Sequence, residues 1–239
     1  MRIGVFDSGV GGLTVLNHLI NTYPNHEYIY YGDTKNVPYG NKSIEELEKL
    51  VDNIFQFMLS KRVDIIVIAC GTVSSNLADK LRKKYRINII DIVSPTINYI
   101  NNSHYKNIGV IATKRTIESG VFSNRINNKI KEIACPEFAE LIEKRDFNLI
   151  DEYIKIYLSP LKDCDLIILG CTHYPIIKSR IKKYLNNDCV LLDMSSVIPN
   201  KFFNDSKKRI DLYFTKLDNN ILKNIDSILN FKVNSINII

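Results

Sequence analysis

The chain has 239 residues, 45% hydrophobic and 24% charged, with 32 basic against 26 acidic side chains and a formal net charge of +6. Such a composition belongs to a soluble globular protein long enough to bury a core in one large or two small domains. It excludes a membrane-embedded chain, because the longest apolar stretches, Ile65 to Cys70 and Leu166 to Cys171, run about six residues where a spanning helix needs roughly 18.

The chain opens directly on a strand pattern, Arg2 to Phe6, which leaves no room for a signal peptide and points to the cytoplasm. A glycine-rich loop, Gly9-Val10-Gly11-Gly12, follows, and Glu27 to Tyr31 reads as the next strand. Ser43-Ile44-Glu45-Glu46 is a capping box, and Leu47, Leu50, Val51, Ile54 and Met58 then recur at helical spacing to about Ser60. Val63 to Ala69 is a buried strand that ends at Cys70, after which the period turns helical from Val73 to Tyr85; Asn88 to Ile90 closes this half. Beyond a boundary near Ser94-Pro95, strands are expected at Asn107 to Ile111, Ile130 to Ala134, Asp165 to Leu169 and Val190 to Leu192. The last two are separated by Cys171 and a helical pattern from Ile176 to Leu185. A return crossing lies near Met194 to Pro199, and the tail from Arg209 supplies a strand, a helix and a strand that rejoin the first half.

Alternation of strands and helices predicts an α/β protein with mostly parallel sheets. One phrase is repeated. Asp64-Ile-Ile-Val-Ile-Ala-Cys70-Gly-Thr72 returns as Asp165-Leu-Ile-Ile-Leu-Gly-Cys171-Thr172, and Ile3-Gly4-Val5-Phe6 returns as Ile108-Gly109-Val110-Ile111. The spacing from Gly4 to Asp64 is 60 residues (64 − 4), and from Gly109 to Asp165 it is 56 (165 − 109). The expectation is therefore two pseudo-symmetric doubly wound domains, residues 1–93 plus 195–239 and residues 94–194, with the active site in the cleft between them and one thiol from each half.

Ligands in such sheets bind beyond the carboxyl ends of the strands. Four polar clusters fall there: Asp7 to Gly12, Asn36 to Gly40, Cys70-Gly71-Thr72 and Cys171 to Pro175. Helix N-termini at these points offer free N–H groups to a carboxylate and help form a thiolate. That help is worth about 0.3 to 2 kcal/mol, roughly one pKa unit, so each cysteine needs a further partner. Asp7 and His173 stand in position as proton relays. One thiolate and one thiol on opposite sides of a carbon can remove a proton and return it to the other face, inverting the centre. Cys135, Cys164 and Cys189 read instead as small buried hydrophobes.

Other chemistries fit poorly. Five cysteines are an odd number without paired spacing, which argues against a disulfide framework. The four histidines form no zinc-type unit with them, so no metal is expected. Basic clusters such as Arg82-Lys83-Lys84 lack interleaved aromatics and read as solvated helix faces, not a nucleic-acid surface. A dinucleotide fingerprint starting at Gly9 would demand glycine where Thr14 stands.

Four ordered motifs, Phe6-Asp7-Ser8-Gly9-Val10-Gly11-Gly12, Gly32-Asp33-Thr34 with Val37-Pro38-Tyr39-Gly40, Ala69-Cys70 with Thr72, and Gly170-Cys171-Thr172-His173-Tyr174-Pro175, resemble the glutamate racemases of the aspartate/glutamate racemase superfamily. Thr113, Thr116, Ser119, Gly120, Cys135-Pro136 and Glu143 are further landmarks of that resemblance. It implies an enzyme that needs no cofactor or metal, makes D-glutamate for peptidoglycan synthesis, and forms a homodimer. Cys70 and Cys171 would be acid and base, assisted by Asp7 and His173. Asp7, Ser8, Pro38, Tyr39, Gly40, Gly71, Thr72, Thr172 and His173 would bind substrate or assist transfer. One position departs from the family pattern, since Gly71 stands where Cys-Asn-Thr is usual. A lost side-chain amide costs roughly 1 to 3 kcal/mol if its mate stays unpaired, and Ser74, Ser75 or a water is the expected replacement. The alternatives are a racemase for aspartate or another amino acid, separable by kcat/KM on a panel of D-amino acids, and a non-catalytic glutamate-binding homologue, which would bind without exchanging the α-proton.

Overall fold

In a computed structural model, residues 1–185, 188–202 and 207–239 are described; residues 186–187 and 203–206, inside the expected ranges 94–194 and 195–239, lie outside the described residues. Runs of Ile and Val become buried strands because β-branched side chains suit a sheet covered on both faces. In chain order these are β1 (Arg2–Asp7), β2 (Glu27–Gly32), β3 (Ile65–Ile68), β4 (Asn88–Asp91), β5 (Ile108–Ala112), β6 (Ile130–Ala134), β7 (Leu166–Leu169), β8 (Val190–Asp193), β9 (Arg209–Phe214) and β10 (Ser235–Ile238). They form two sheets, ordered β10-β9-β2-β1-β3-β4 and β6-β5-β7-β8. Every strand pair recorded in them is parallel.

The repeat seen in the sequence is a repeat of topology. The order β2-β1-β3-β4 is matched by β6-β5-β7-β8. Register agrees as well, with Gly4 opposite Ile66 and Gly109 opposite Ile167. One residue past the pairing, Ala69 N–H donates to the Phe6 carbonyl at 2.9 Å and Gly170 N–H to the Ile111 carbonyl at 2.7 Å. Cys70 and Cys171 each come next, and so leave their sheets at equivalent points. Those points flank β1 and β5, where the winding of each sheet reverses and the loops diverge to leave a crevice. The tail does rejoin the first sheet, as β9 pairs with β2 and β10 with β9.

One apolar core spans both sheets, joining Ile3, Val5 and Leu212 to Val110, Phe122 and Ile168. A second lies between the first sheet and the helices Ile44–Ser60 and Gly71–Lys84, and a third covers the far side of the second sheet. The helix Ile44–Ser60 opens with the expected capping box: Ser43 Oγ accepts from Glu46 N–H while the Glu46 carboxylate accepts from Ser43 N–H. Ser43→Ala is expected to lower the unfolding free energy by about 1 kcal/mol, read as a lower urea midpoint at constant slope. An unchanged midpoint would show that the cap contributes nothing.

The pattern after Cys171 was expected to give a helix from Ile176 to Leu185. The structure instead has a 3-10 turn, Tyr174–Ile177, and a short helix, Lys178–Lys182. Pro175 near the start of the turn has no N–H to give, and the turn carries only four residues. Among the described residues no helix is long and apolar enough to cross a membrane.

Candidate active site

Asp7 ends β1 at the crevice and is fully buried. Its Oδ2 accepts from Gly9 N–H at 3.2 Å and Gly12 N–H at 2.8 Å, which organises the loop leading into the helix Gly12–Thr22. Its Oδ1 accepts from the Thr172 hydroxyl at 3.2 Å, so this carboxylate ties the two halves together. The glycines of the loop serve space, because none has a positive φ. A Cβ on Gly9 would lie 2.1 Å from Glu143 Oε1, and one on Gly11 would lie 2.5 Å from His173 Nδ1. The glycine run therefore admits two side chains of the second half.

Cys70 caps the helix Gly71–Lys84 and is 3% exposed. Its S–H points to Ser8 Oγ at 3.8 Å. The helix terminus was expected to help ionise it, and a backbone interaction with Val73 does act in that direction. Burial outweighs this, and with the charges of Asp7 and Cys171 it pushes the Cys70 thiol far above its ordinary range. Asp7 thus acts on Cys70 through charge. Next in the chain, Thr72 Oγ1 meets Thr113 Oγ1 at 3.0 Å, and Thr113 donates to Thr116 at 3.0 Å, a hydroxyl chain that crosses the cleft.

Cys171 is 6% exposed and has no α-helix N-terminus behind it, so that expected aid is absent on this side. Its partner is His173, with Nδ1 3.7 Å from Sγ. On the other ring edge Nε2 lies 2.7 Å from Glu143 Oε1, which also accepts from Val10 N–H at 2.8 Å. Burial alone would lower the His173 pKa, but the hydrogen bonds to Cys171 and Glu143 prevail and hold it well above 6.5. In that charged form both ring nitrogens are donors, one toward the sulfur and one toward the carboxylate. Asn224 steadies the arrangement. Its Nδ2 donates to the Glu143 carbonyl at 3.3 Å while its Oδ1 accepts from Arg145 at 2.7 Å.

Ser8, Thr72, Thr172 and His173 thus gather around the two thiols with Asp7. Tyr39 is buried on the same side, its hydroxyl donating to Asp33 Oδ2 at 2.6 Å. Gly40 abuts the second half, for a Cβ there would lie 2.8 Å from Thr113 Cβ. Pro38, just before this turn, is partly exposed. The expected stand-ins for an amide at position 71 are engaged elsewhere: Ser74 donates to the Ile68 carbonyl and Ser75 to the Thr72 carbonyl. Cys135, Cys164 and Cys189 sit in the outer core of the second sheet. Among the described residues no three His, Cys, Asp or Glu side chains cluster as a metal site. Asn224 escapes sequence reading as a support, since Glu143 and Arg145 are brought to it only by folding. Glu143 stands out in sequence as a family landmark, but its pairing with a histidine 30 residues away does not.

Residues 6–196 match the Asp/Glu/Hydantoin racemase family. The chain belongs to this family. It is an isomerase, an amino-acid racemase acting on a small molecule. The racemase is 44% identical over 192 residues to the glutamate racemase of Fusobacterium nucleatum, a match covering 76% of this chain and 73% of that one. Its fold matches glutamate racemase isoform RacE1 of Bacillus anthracis with a TM-score of 0.91 at 28% identity, over 100% of this chain and 97% of that one. It also matches the Francisella tularensis glutamate racemase solved in complex with D-glutamate, with a TM-score of 0.85 at 30% identity, over 100% and 97% of the two chains.

Proposed function

We propose that this racemase interconverts L- and D-glutamate in the cytoplasm without cofactor or metal, using Cys70 and Cys171 as a paired acid and base, and so supplies D-glutamate for peptidoglycan. The observation that carries the reading is that two cysteines leave equivalent strands at one junction, each beside its own proton partner. The substrate is the one named for the relatives above, and the expected assembly is a homodimer.

The different surroundings of the two cysteines support different starting roles. Cys70, pushed up by burial and Asp7, rests as the thiol. Cys171, with Sγ 3.7 Å from Nδ1 of the charged imidazole, acts as the base. Substrate lies between the sulfurs, with its polar groups held by Ser8, Thr72, Thr172 and the backbone of Tyr39, Gly40 and Gly71. Pro38 shapes the turn that presents Tyr39. Cys171 takes the α-proton, leaving a carbanion; Cys70 gives its proton to the opposite face. The enzyme ends with the roles exchanged, ready for the reverse direction, and resets by proton exchange with solvent. Both thiols are buried, so substrate enters only when the halves part.

The test is circular dichroism of purified enzyme with D-glutamate under reducing conditions. Decay of the signal to zero is expected. A folded, reduced protein that leaves the signal unchanged would reject the reading, and a clear kcat/KM preference for D-aspartate would replace glutamate.

A further inference from the structure

We propose that Asn224 is a positioning residue: from the first half it clasps the end of the helix that carries Glu143, so that the relay Glu143–His173–Cys171 takes its working geometry only when the two halves are together. The proposal rests on the two-thiol reading above. The helix Asn219–Ile228, between β9 and β10, buries Ile221, Asn224 and Ile225. Packing alone would ask for a third apolar residue there, because a buried amide is costly unless its hydrogen bonds are made. Asn224 is fully buried, and both ends of its amide reach across to the second half. Nδ2 donates to the Glu143 carbonyl at 3.3 Å, and Oδ1 accepts from Arg145 Nη1 at 2.7 Å.

Arg145 closes the helix Phe138–Lys144 at φ 59°, in the left-handed region, a conformation that a residue with a Cβ keeps only where its surroundings hold it. Asn224 and Ser227 hold it from the first half, with Ser227 Oγ 3.4 Å from the same Nη1, and the guanidinium carbon lies 5.4 Å from the centre of the Phe147 ring. Two residues earlier, Glu143 is gripped at its other end too, since its Oε1 accepts from Val10 N–H at 2.8 Å. The first half thus fixes both the backbone and the carboxylate of Glu143. Its slot is narrow, for a Cβ on Gly9 would lie 2.1 Å from Oε1. The bonds from Val10 and Asn224 all cross between the halves. They break together when the halves part to admit substrate, and closure restores the aim of Glu143 at His173 Nε2, 2.7 Å away. The influence of Asn224 on Cys171 passes through Glu143 and His173.

The experiment measures racemisation of both glutamate enantiomers by circular dichroism for wild type, Asn224→Ala, Asn224→Leu, Glu143→Gln and Glu143→Gln combined with each change at 224. Leucine is apolar like the neighbours of Asn224 and keeps the helix seated, so it decides the matter if Asn224→Ala does not fold. Each single variant at 224 is expected to lose about tenfold in kcat with KM within about threefold, because a misplaced support slows the chemical step more than it weakens binding. In the Glu143→Gln background the same change is expected to cost less than about twofold further, since residues that act through one another are not additive. A residue that merely stabilised the fold would give losses that multiply. Wild-type kcat in Asn224→Leu, a higher KM at unchanged kcat, or a full further loss of about tenfold on top of Glu143→Gln would overturn the proposal. Inactive wild-type enzyme would instead reject the glutamate reading on which it rests.

Discussion

Serine in place of either Cys70 or Cys171 is expected to lower kcat for racemisation of both glutamate enantiomers by about 10³-fold or more. A hydroxyl at the same place is too weak an acid and, ionised, too rare a base to replace a thiol, and positioned acid–base groups contribute about 10²- to 10⁴-fold. Inversion needs both groups, so neither variant keeps a functional half-reaction toward product. Exchange is different. In Cys70→Ser the pair Cys171–His173 stays intact, and it can still remove and return the α-proton of the enantiomer that presents it to that side. Cys171→Ser leaves only a buried thiol beside Ser8. Proton NMR in deuterated water should show residual Cα exchange from one enantiomer in Cys70→Ser and much weaker exchange, from the other enantiomer, in Cys171→Ser. Equal exchange from both enantiomers in either variant would defeat the two-sided mechanism.

For Glu143→Gln the expectation is a kcat loss of about 10²-fold and an alkaline limb of the pH–rate profile moved to lower pH. The amide still accepts from Val10 N–H, so the loop after β1 keeps its support. What disappears is the carboxylate that, 2.7 Å from Nε2, helps hold the proton on His173. The sign follows from the raised pKa. Folded His173 keeps its proton to higher pH than an unfolded histidine, so the interaction stabilises fully below 6.5 and is lost as pH climbs through the raised value. Without Glu143, burial regains influence and the imidazole loses its proton earlier. Stability of the variant should accordingly vary less with pH across that window. A profile that kept its alkaline limb in place would show that Glu143 does not act through His173.

Much of the frame was legible in the amino-acid sequence. The repeated Asp-to-Cys phrase gave the equivalence of β3 and β7, because an apolar run closed by a polar residue has one reading in a sheet covered on both sides. Ser43 and Glu46 marked the start of their helix through a local bond of three residues' span. The helix expected to run to Leu185 failed for a local reason too, since Pro175 and a short 3-10 turn displaced the regular period.

Chemistry on each thiol was less legible. Sequence placed a cysteine at each strand end and a histidine beside one of them, and a helix cap promised easier ionisation of Cys70. Burial reversed that promise, and burial is a sum over neighbours that a linear pattern does not contain. Glu143 reaches His173, Asn224 holds Glu143, and Gly71 meets Gly170 only because the two halves share one core. What residue order settled by itself was which groups exist and where each leaves its strand, since strand and helix periodicity depend on near neighbours. What tertiary structure decided was their charge and mutual distance, which depend on atoms remote in sequence and on the exclusion of water between them.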